Sequence, residues 1–155
     1  MLTIHCGGGF LFTDSSYTGT LFVQTDSGCF PSEGWTDYPE IVLGWWLDTL
    51  KSVLIGREGR TYTFLFMDGP YAIRCLKESD HLTLRFEREN TAVLPACKTT
   101  LDAFSAAIRN AMETLIRQLY LAAQTDRIES IRGYLKQLDA WWPDLRKKVD
   151  LQPDL

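Results

Sequence analysis

The sequence predicts an α+β fold: an antiparallel sheet of about five strands packed by three helices, with a C-terminal helical hairpin. Three observations predict it. Strand-like runs with period-two alternation fill 2–25 and 61–88. One amphipathic helix pattern lies between them and two more follow. Turn residues, not crossover helices, separate the strands from 61 to 88, so neighbours pair antiparallel. With 155 residues, 45% hydrophobic and 23% charged, the chain suits one globular domain. We place it at 1–143, followed by a polar C-terminal tail at 144–155.

Leu2–Phe12 reads as a strand broken at Gly7-Gly8-Gly9, and Thr20–Thr25 as its hairpin partner across the turn cluster Asp14-Ser15-Ser16. No Gly-Lys-Ser/Thr follows the glycines, so a bulge or a close backbone approach fits better than a phosphate loop. Ser27–Tyr38 reads as a loop carrying Phe30, Trp35 and Tyr38, which either plug a core edge or anchor a partner.

Asp37 then opens a helix as cap, with Glu40 reaching back and Pro39 in the first turn. Leu43, Trp46, Leu47, Leu50, Val53 and Leu54 share its core face. Ile41, Trp45, Asp48, Thr49 and Ser52 fall opposite. Ile41 and Trp45 on that polar side either pack against a loop of the same chain or form an exposed apolar patch. After Gly56–Arg60 come strands at Thr61–Met67, Tyr71–Lys77 and His81–Arg88, with a short addition at Ala92–Leu94. The third alternates with Leu82, Leu84 and Phe86 inward and His81, Thr83, Arg85 and Glu87 outward, which leaves one sheet face wet.

Thr99 and Asp102 cap the second helix, whose stripe is Leu101, Phe104, Ile108, Met112, Leu115, Leu119 and Ala122. Asp126 and Glu129 repeat the capping pattern before a third helix built on Ile128, Ile131, Leu135, Leu138 and Trp142. The basic group Arg146, Lys147 and Lys148 reads as a solvated terminus.

Net charge is −4, unevenly spread. Residues 1–50 hold six acids (Asp14, Asp26, Glu33, Asp37, Glu40 and Asp48) and no Lys or Arg, while the rest stands at +2. That bias argues against a nucleic-acid binder, which needs a basic surface, and favours a basic partner. No apolar run reaches the roughly 18 residues of a membrane span, and the start lacks the basic residues of a secretory signal. A cytoplasmic protein with no membrane partner is the expectation.

The cysteines Cys6, Cys29, Cys75 and Cys97 show no CxxC spacing, so reduced thiols and no metal are expected. The serine-hydrolase, zincin, deaminase and phosphate-loop patterns are absent. His5 and His81 both read as strand positions, and no pair among the twenty acids is singled out. We expect no catalytic residues, no cofactor and no enzyme.

In size, charge and lack of motifs the chain resembles the cytoplasmic immunity proteins of bacterial polymorphic and contact-dependent toxin systems. The segment Phe66-Met67-Asp68-Gly69-Pro70-Tyr71-Ala72-Ile73-Arg74 and the order of strands then helices, over residues 40–140, also resemble small bacterial proteins. The resemblance implies tight, one-to-one capture of a cognate basic toxin domain, often a nuclease, with its active site blocked. It carries no residue roles. From the sequence itself, the partner contacts would be the aromatic and apolar residues Trp35, Tyr38, Ile41 and Trp45 among the acids Asp26, Glu33, Asp37 and Asp48. Two alternatives stand beside this reading. One is a ligand-binding domain or enzyme with a pocket between sheet and helices near His5 and Gly7–Gly9. The other is a homodimer joined through the same apolar patch.

Overall fold

β3 (Tyr17–Thr25) organises the N-terminal third, because its nine residues carry partners on both edges. β1 (Leu2–Cys6) and β2 (Leu11–Phe12) pair with one edge, and β4 (Gly28–Phe30) and β5 (Thr36–Asp37) with the other. All pairings are antiparallel. The computed structural model describes residues 1–150. Between β1 and β2 the three glycines take left-handed backbone angles, and the chain keeps contact with β3 through Gly7 N–H to Thr20 O and Thr20 N–H to Gly8 O. A side chain at Gly7 would also strike Gln118, 2.9 Å from its Cγ. The expected bulge and close approach are both present.

Helix α1 (Pro39–Ile55) leads to the second sheet: β6 (Thr61–Leu65), β7 (Tyr71–Glu78), β8 (His81–Arg88), β9 (Thr91–Ala92) and β10 (Cys97–Thr100). Its order is β10-β8-β7-β6, with β9 on β8. The α+β class is as predicted, but among the described residues ten strands form two sheets of five where one sheet was expected. The N-terminal strands pair only among themselves, and β10 (Cys-Lys-Thr-Thr) has no apolar alternation to announce it. The stretch 27–38 is likewise not all loop, since β4 and β5 lie within it.

Helix α2 (Leu101–Leu121) and α3 (Ile128–Asp150) form the expected hairpin, separated by a single 3₁₀ turn at Thr125–Arg127. Arg109 on α2 holds Asp139 on α3 at 2.7 Å. At the turn, Arg127 donates to Ser16 O and Thr13 O and lies over the rings of Phe12 and Tyr17, tying the hairpin to the first sheet. The cap of α2 is Thr100, not Thr99; its Oγ1 accepts from Ala103 N–H at 3.0 Å. α3 continues through Asp150, past the expected start of the tail at 144. The side chains of Trp142, Arg146, Lys147 and Lys148, and residues 151–155, lie outside the described residues.

One core joins these layers. Phe30 of β4 meets Tyr71 and Phe86 of the second sheet and Phe66 just past β6, while Phe104 of α2 packs edge-on against Phe64 at 5.1 Å. Every residue predicted for the core face of α1 is buried. So are Leu82, Leu84 and Phe86.

Polar bonds fix α1 on the sheet. Trp46 Nε1 donates to Leu65 O at 2.8 Å, and the buried Lys77 of β7 donates to Val53 O at 2.7 Å and Gly56 O at 3.1 Å. The ammonium thus serves carbonyls that a helix C-terminus otherwise leaves without partners. Replacing Lys77 with Met keeps the stem and removes the donors. Urea unfolding of Lys77→Met should show a loss of about 1–3 kcal/mol.

Candidate functional site

Two stripes of α1 point away from the core. Ile41 and Trp45 lie on one, and Glu40, Gly44 and Asp48, spaced four apart, on the other. α3 crosses beside them. Ile41, Trp45, Leu47 and Asp48 of α1, with Tyr134 and Gln137 of α3, line an open groove of ≈ 320 Å³. Trp45 is 41% exposed although it neighbours the fully buried Trp46. Of the two outcomes left open for Ile41 and Trp45, the loop contact is replaced by a helix, since they flank α3, and apolar surface is left in the groove.

The Tyr134 hydroxyl rests on Gly44, where a Cβ would lie 2.7 Å from it. A glycine inside a helix costs about 1 kcal/mol against alanine, and this close approach explains why one stands here. Burial, then the charges of Glu40 and Asp48, push the Tyr134 phenol above its ordinary value. Lys51, one turn on, places its ammonium 5.2 Å from the Trp141 ring. No ion pair involves Glu40 or Asp48 among the described residues.

The other expected contacts sit elsewhere. Asp37 is corrected from helix cap and partner contact to internal acceptor: it is 1% exposed. Its carboxylate takes N–H groups from Tyr38 at 2.7 Å, Asp68 at 3.2 Å and the Trp35 indole at 3.0 Å. The N-cap position of α1 is Tyr38, with no side-chain capping bond, so the reciprocal bond expected from Glu40 is absent too. Trp35 is half-buried, edge-on to Tyr71 at 5.0 Å, and acts as the plug of the two roles open to it. Tyr38 is half-buried and Glu33 is exposed in the loop between β4 and β5. Asp26 is bound to the terminal ammonium at 3.1 Å in the β3–β4 turn. Asp14 stands in the turn at the opposite end of β3, about 30 Å away for nine extended residues. The acids of the first third therefore do not make one negative surface; of them only Asp48 lines the groove.

A second groove, ≈ 290 Å³, lies on the wet face of the second sheet between Leu65, Tyr71 and Arg74. Arg74 stands directly opposite Arg85, a repulsive pairing. Glu87, which the alternation places outward, is buried between them and pairs with Arg74 at 2.7 Å and Arg85 at 3.6 Å. Asn90 takes another Arg74 donor. The groups of this cluster satisfy one another, which marks it as a brace across β7 and β8.

At the alternative site near His5 the imidazole already has partners. The His5 ring bonds Gln24 at 2.7 Å and stacks on Phe22 at 4.6 Å. Among the described residues no cluster of three or more His, Cys, Asp or Glu could hold a metal. Among the described residues no helix is long and apolar enough to cross a membrane.

Burial pushes the Cys6 and Cys75 thiols up to about 12. At pH 8 a disulfide reagent such as dithionitrobenzoate should titrate Cys29 and Cys97, both half-buried, and reach the other two only after denaturation. The unfolded chain releases these protons near the ordinary 9.0 and the folded chain does not. Stability should therefore fall as pH rises past 9. Asp37→Ala strands three donors, and urea unfolding should show a loss of at least about 2 kcal/mol. No protein-family model, curated protein or solved structure matches the chain, so the roles of these residues rest on its own geometry.

Proposed function

We propose that the protein is a binding protein that captures a basic protein domain one-to-one through the α1/α3 groove. In this it would act as the immunity proteins it resembles act on cognate toxin domains, in the bacterial cytoplasm. The observation that carries the reading is Trp45, a large aromatic held open to solvent on a helix whose opposite face is wholly buried. Binding energy concentrates in such anchors when a rim of other contacts excludes water. Ile41 and Gln137 supply rim, and Asp48 supplies charge.

Because the acids are dispersed, the mechanism is local. Trp45 docks into the partner, Asp48 pairs with a base beside it, and the bulk of α1 and α3 covers the partner's active site. Capture of this kind needs no catalysis by this chain. A homodimer through the same groove is disfavoured, because a two-fold axis through it would bring the acids of both copies, Glu40 and Asp48, into one interface.

Where the gene just upstream encodes a large secreted protein, the C-terminal domain of that protein is the partner to assay. Trp45→Ala should weaken its capture by about 2 kcal/mol, roughly thirtyfold in Kd, with an unchanged circular dichroism spectrum. Equal affinity in the variant would remove Trp45 as the anchor.

A further inference from the structure

We infer that the contact surface runs on from the α1/α3 groove across the junction of α1 with β6, as one apolar ridge in which Ile41 and Trp45 stand beside Met67 and Leu65. This ridge takes apolar side chains of a partner protein that are flanked by lysines or arginines. The inference rests on the reading above for the kind of partner, and it adds the part of the surface that lies on the second sheet.

The register of α1 against β6 is set by two bonds. Trp46 Nε1 donates to Leu65 O and Thr49 Oγ1 to Thr63 O, so the helix runs antiparallel to the strand. Four residues of helix advance about 6 Å and two residues of strand about 6.6 Å, so the spacings match. Ile41, Trp45 and Thr49 share one stripe of the helix. With Thr49 at the height of Thr63, Trp45 falls at the height of Leu65 and Ile41 at that of Met67. Met67 follows β6, and the pairing with β7 still holds there, since Phe66 N–H reaches Tyr71 O.

Exposure supports the same ridge. Phe64 and Phe66 point into the core, while Leu65 and Met67 between and after them are 49% and 45% exposed, close to the 41% of Trp45. Large apolar residues exposed singly are ordinary, but three at matched heights on adjoining elements make a contiguous patch. Trp45 and Ile41 line the first groove, and Leu65 lines the second with Pro70 and Tyr71, so the ridge links the two.

Charge selects the occupant. Asp48 lines the groove with Trp45, Asp68 follows Met67, and Glu89 lines the second groove. All three are exposed, and none forms an ion pair among the described residues. The neighbouring cations are engaged within the chain: Arg74 with Glu87 and Asn90, Arg88 over the Tyr71 ring and Lys51 at Trp141. An apolar strip with an acidic rim complements one with a basic rim. A second copy of this chain would set like rims together, and an anionic lipid surface would meet the same repulsion.

The test uses the full chain and two amphipathic peptides, Ac-LKKLLKLLKKLLKL-NH2 and its acidic counterpart Ac-LEELLELLEELLEL-NH2. Binding is followed by NMR at the Trp45 indole N–H and the Met67 methyl, assigned from Trp45→Phe and Met67→Leu. The lysine peptide should shift both resonances along one binding curve, and the glutamate peptide should shift neither. Leu65→Thr with Met67→Thr, followed at Trp45, should raise the Kd about tenfold. Ile55→Thr with Leu121→Thr, which removes exposed apolar side chains away from the ridge, should leave it within about twofold. An unmoved Met67 overturns the inference; if Trp45 shifts alone, the groove reading above survives it. Equal binding of the glutamate peptide or equal losses in both double variants also overturn it. So do shifts of Trp45 and Met67 on raising the protein concentration alone, which would assign the ridge to a second copy. If the lysine peptide binds as expected but Trp45→Ala still captures the basic domain fully, the ridge stands and the proposed capture through Trp45 falls.

Discussion

Helix α1 is bonded to the second sheet at its beginning, middle and end, and the direction of its outer face follows from those bonds. At the start, Asp37 receives the Asp68 amide from the β6–β7 turn. In the middle, the Trp46 indole reaches Leu65 O, and at the end Lys77 gathers carbonyls from Val53 and Gly56. Apolar packing alone tolerates some rotation of a helix about its axis. Three directional bonds spread over 17 residues do not. Rotation toward the core would bury Trp45, and rotation away would expose Trp46.

The contact between α1 and α3 has a different character. At one point in it a hydroxyl rests on a glycine, Tyr134 on Gly44. With no methyl between the helices at that point, Ile41 and Trp45 are left as one wall of a groove and Gln137 as part of the other. The hairpin is held in turn by Arg109 with Asp139 and by Arg127 on the β2–β3 turn. The groove is therefore built by parts of the chain that are remote in sequence.

That remoteness explains what could be read in advance. The core face of α1, the alternation of β8 and the stripe on α2 are local periodicities, and they match burial except at Glu87, which is buried on the outward side, and Ala122, which is half-buried. Trp45 and Ile41 stood out for the same reason: they break the pattern of their own helix. Tyr134 and Gln137 did not, because they complete the groove from α3, and no local rule links residue 134 to residue 44. The one available signal was Gly44 itself, a glycine in a helix interior with no turn to make. Asp37 misled for a related reason. Its position before Pro39 is that of a helix cap, but a turn 31 residues later supplies a competing amide and draws the carboxylate inward. Charge counting over 1–50 failed for a topological reason. A long strand such as β3 carries acids that are close in sequence to opposite ends of the molecule.

The Trp46 bond also bears on how the chain avoids its own kind. β6 is the outermost strand of the second sheet, and an open strand edge templates pairing between molecules. Here the outward carbonyls of Thr63 and Leu65 are occupied by Thr49 Oγ1 and the Trp46 indole. The helix acts as a sheath over the strand, so shedding α1 would bare an adhesive border, and self-association would begin there before the rest of the sheet came apart.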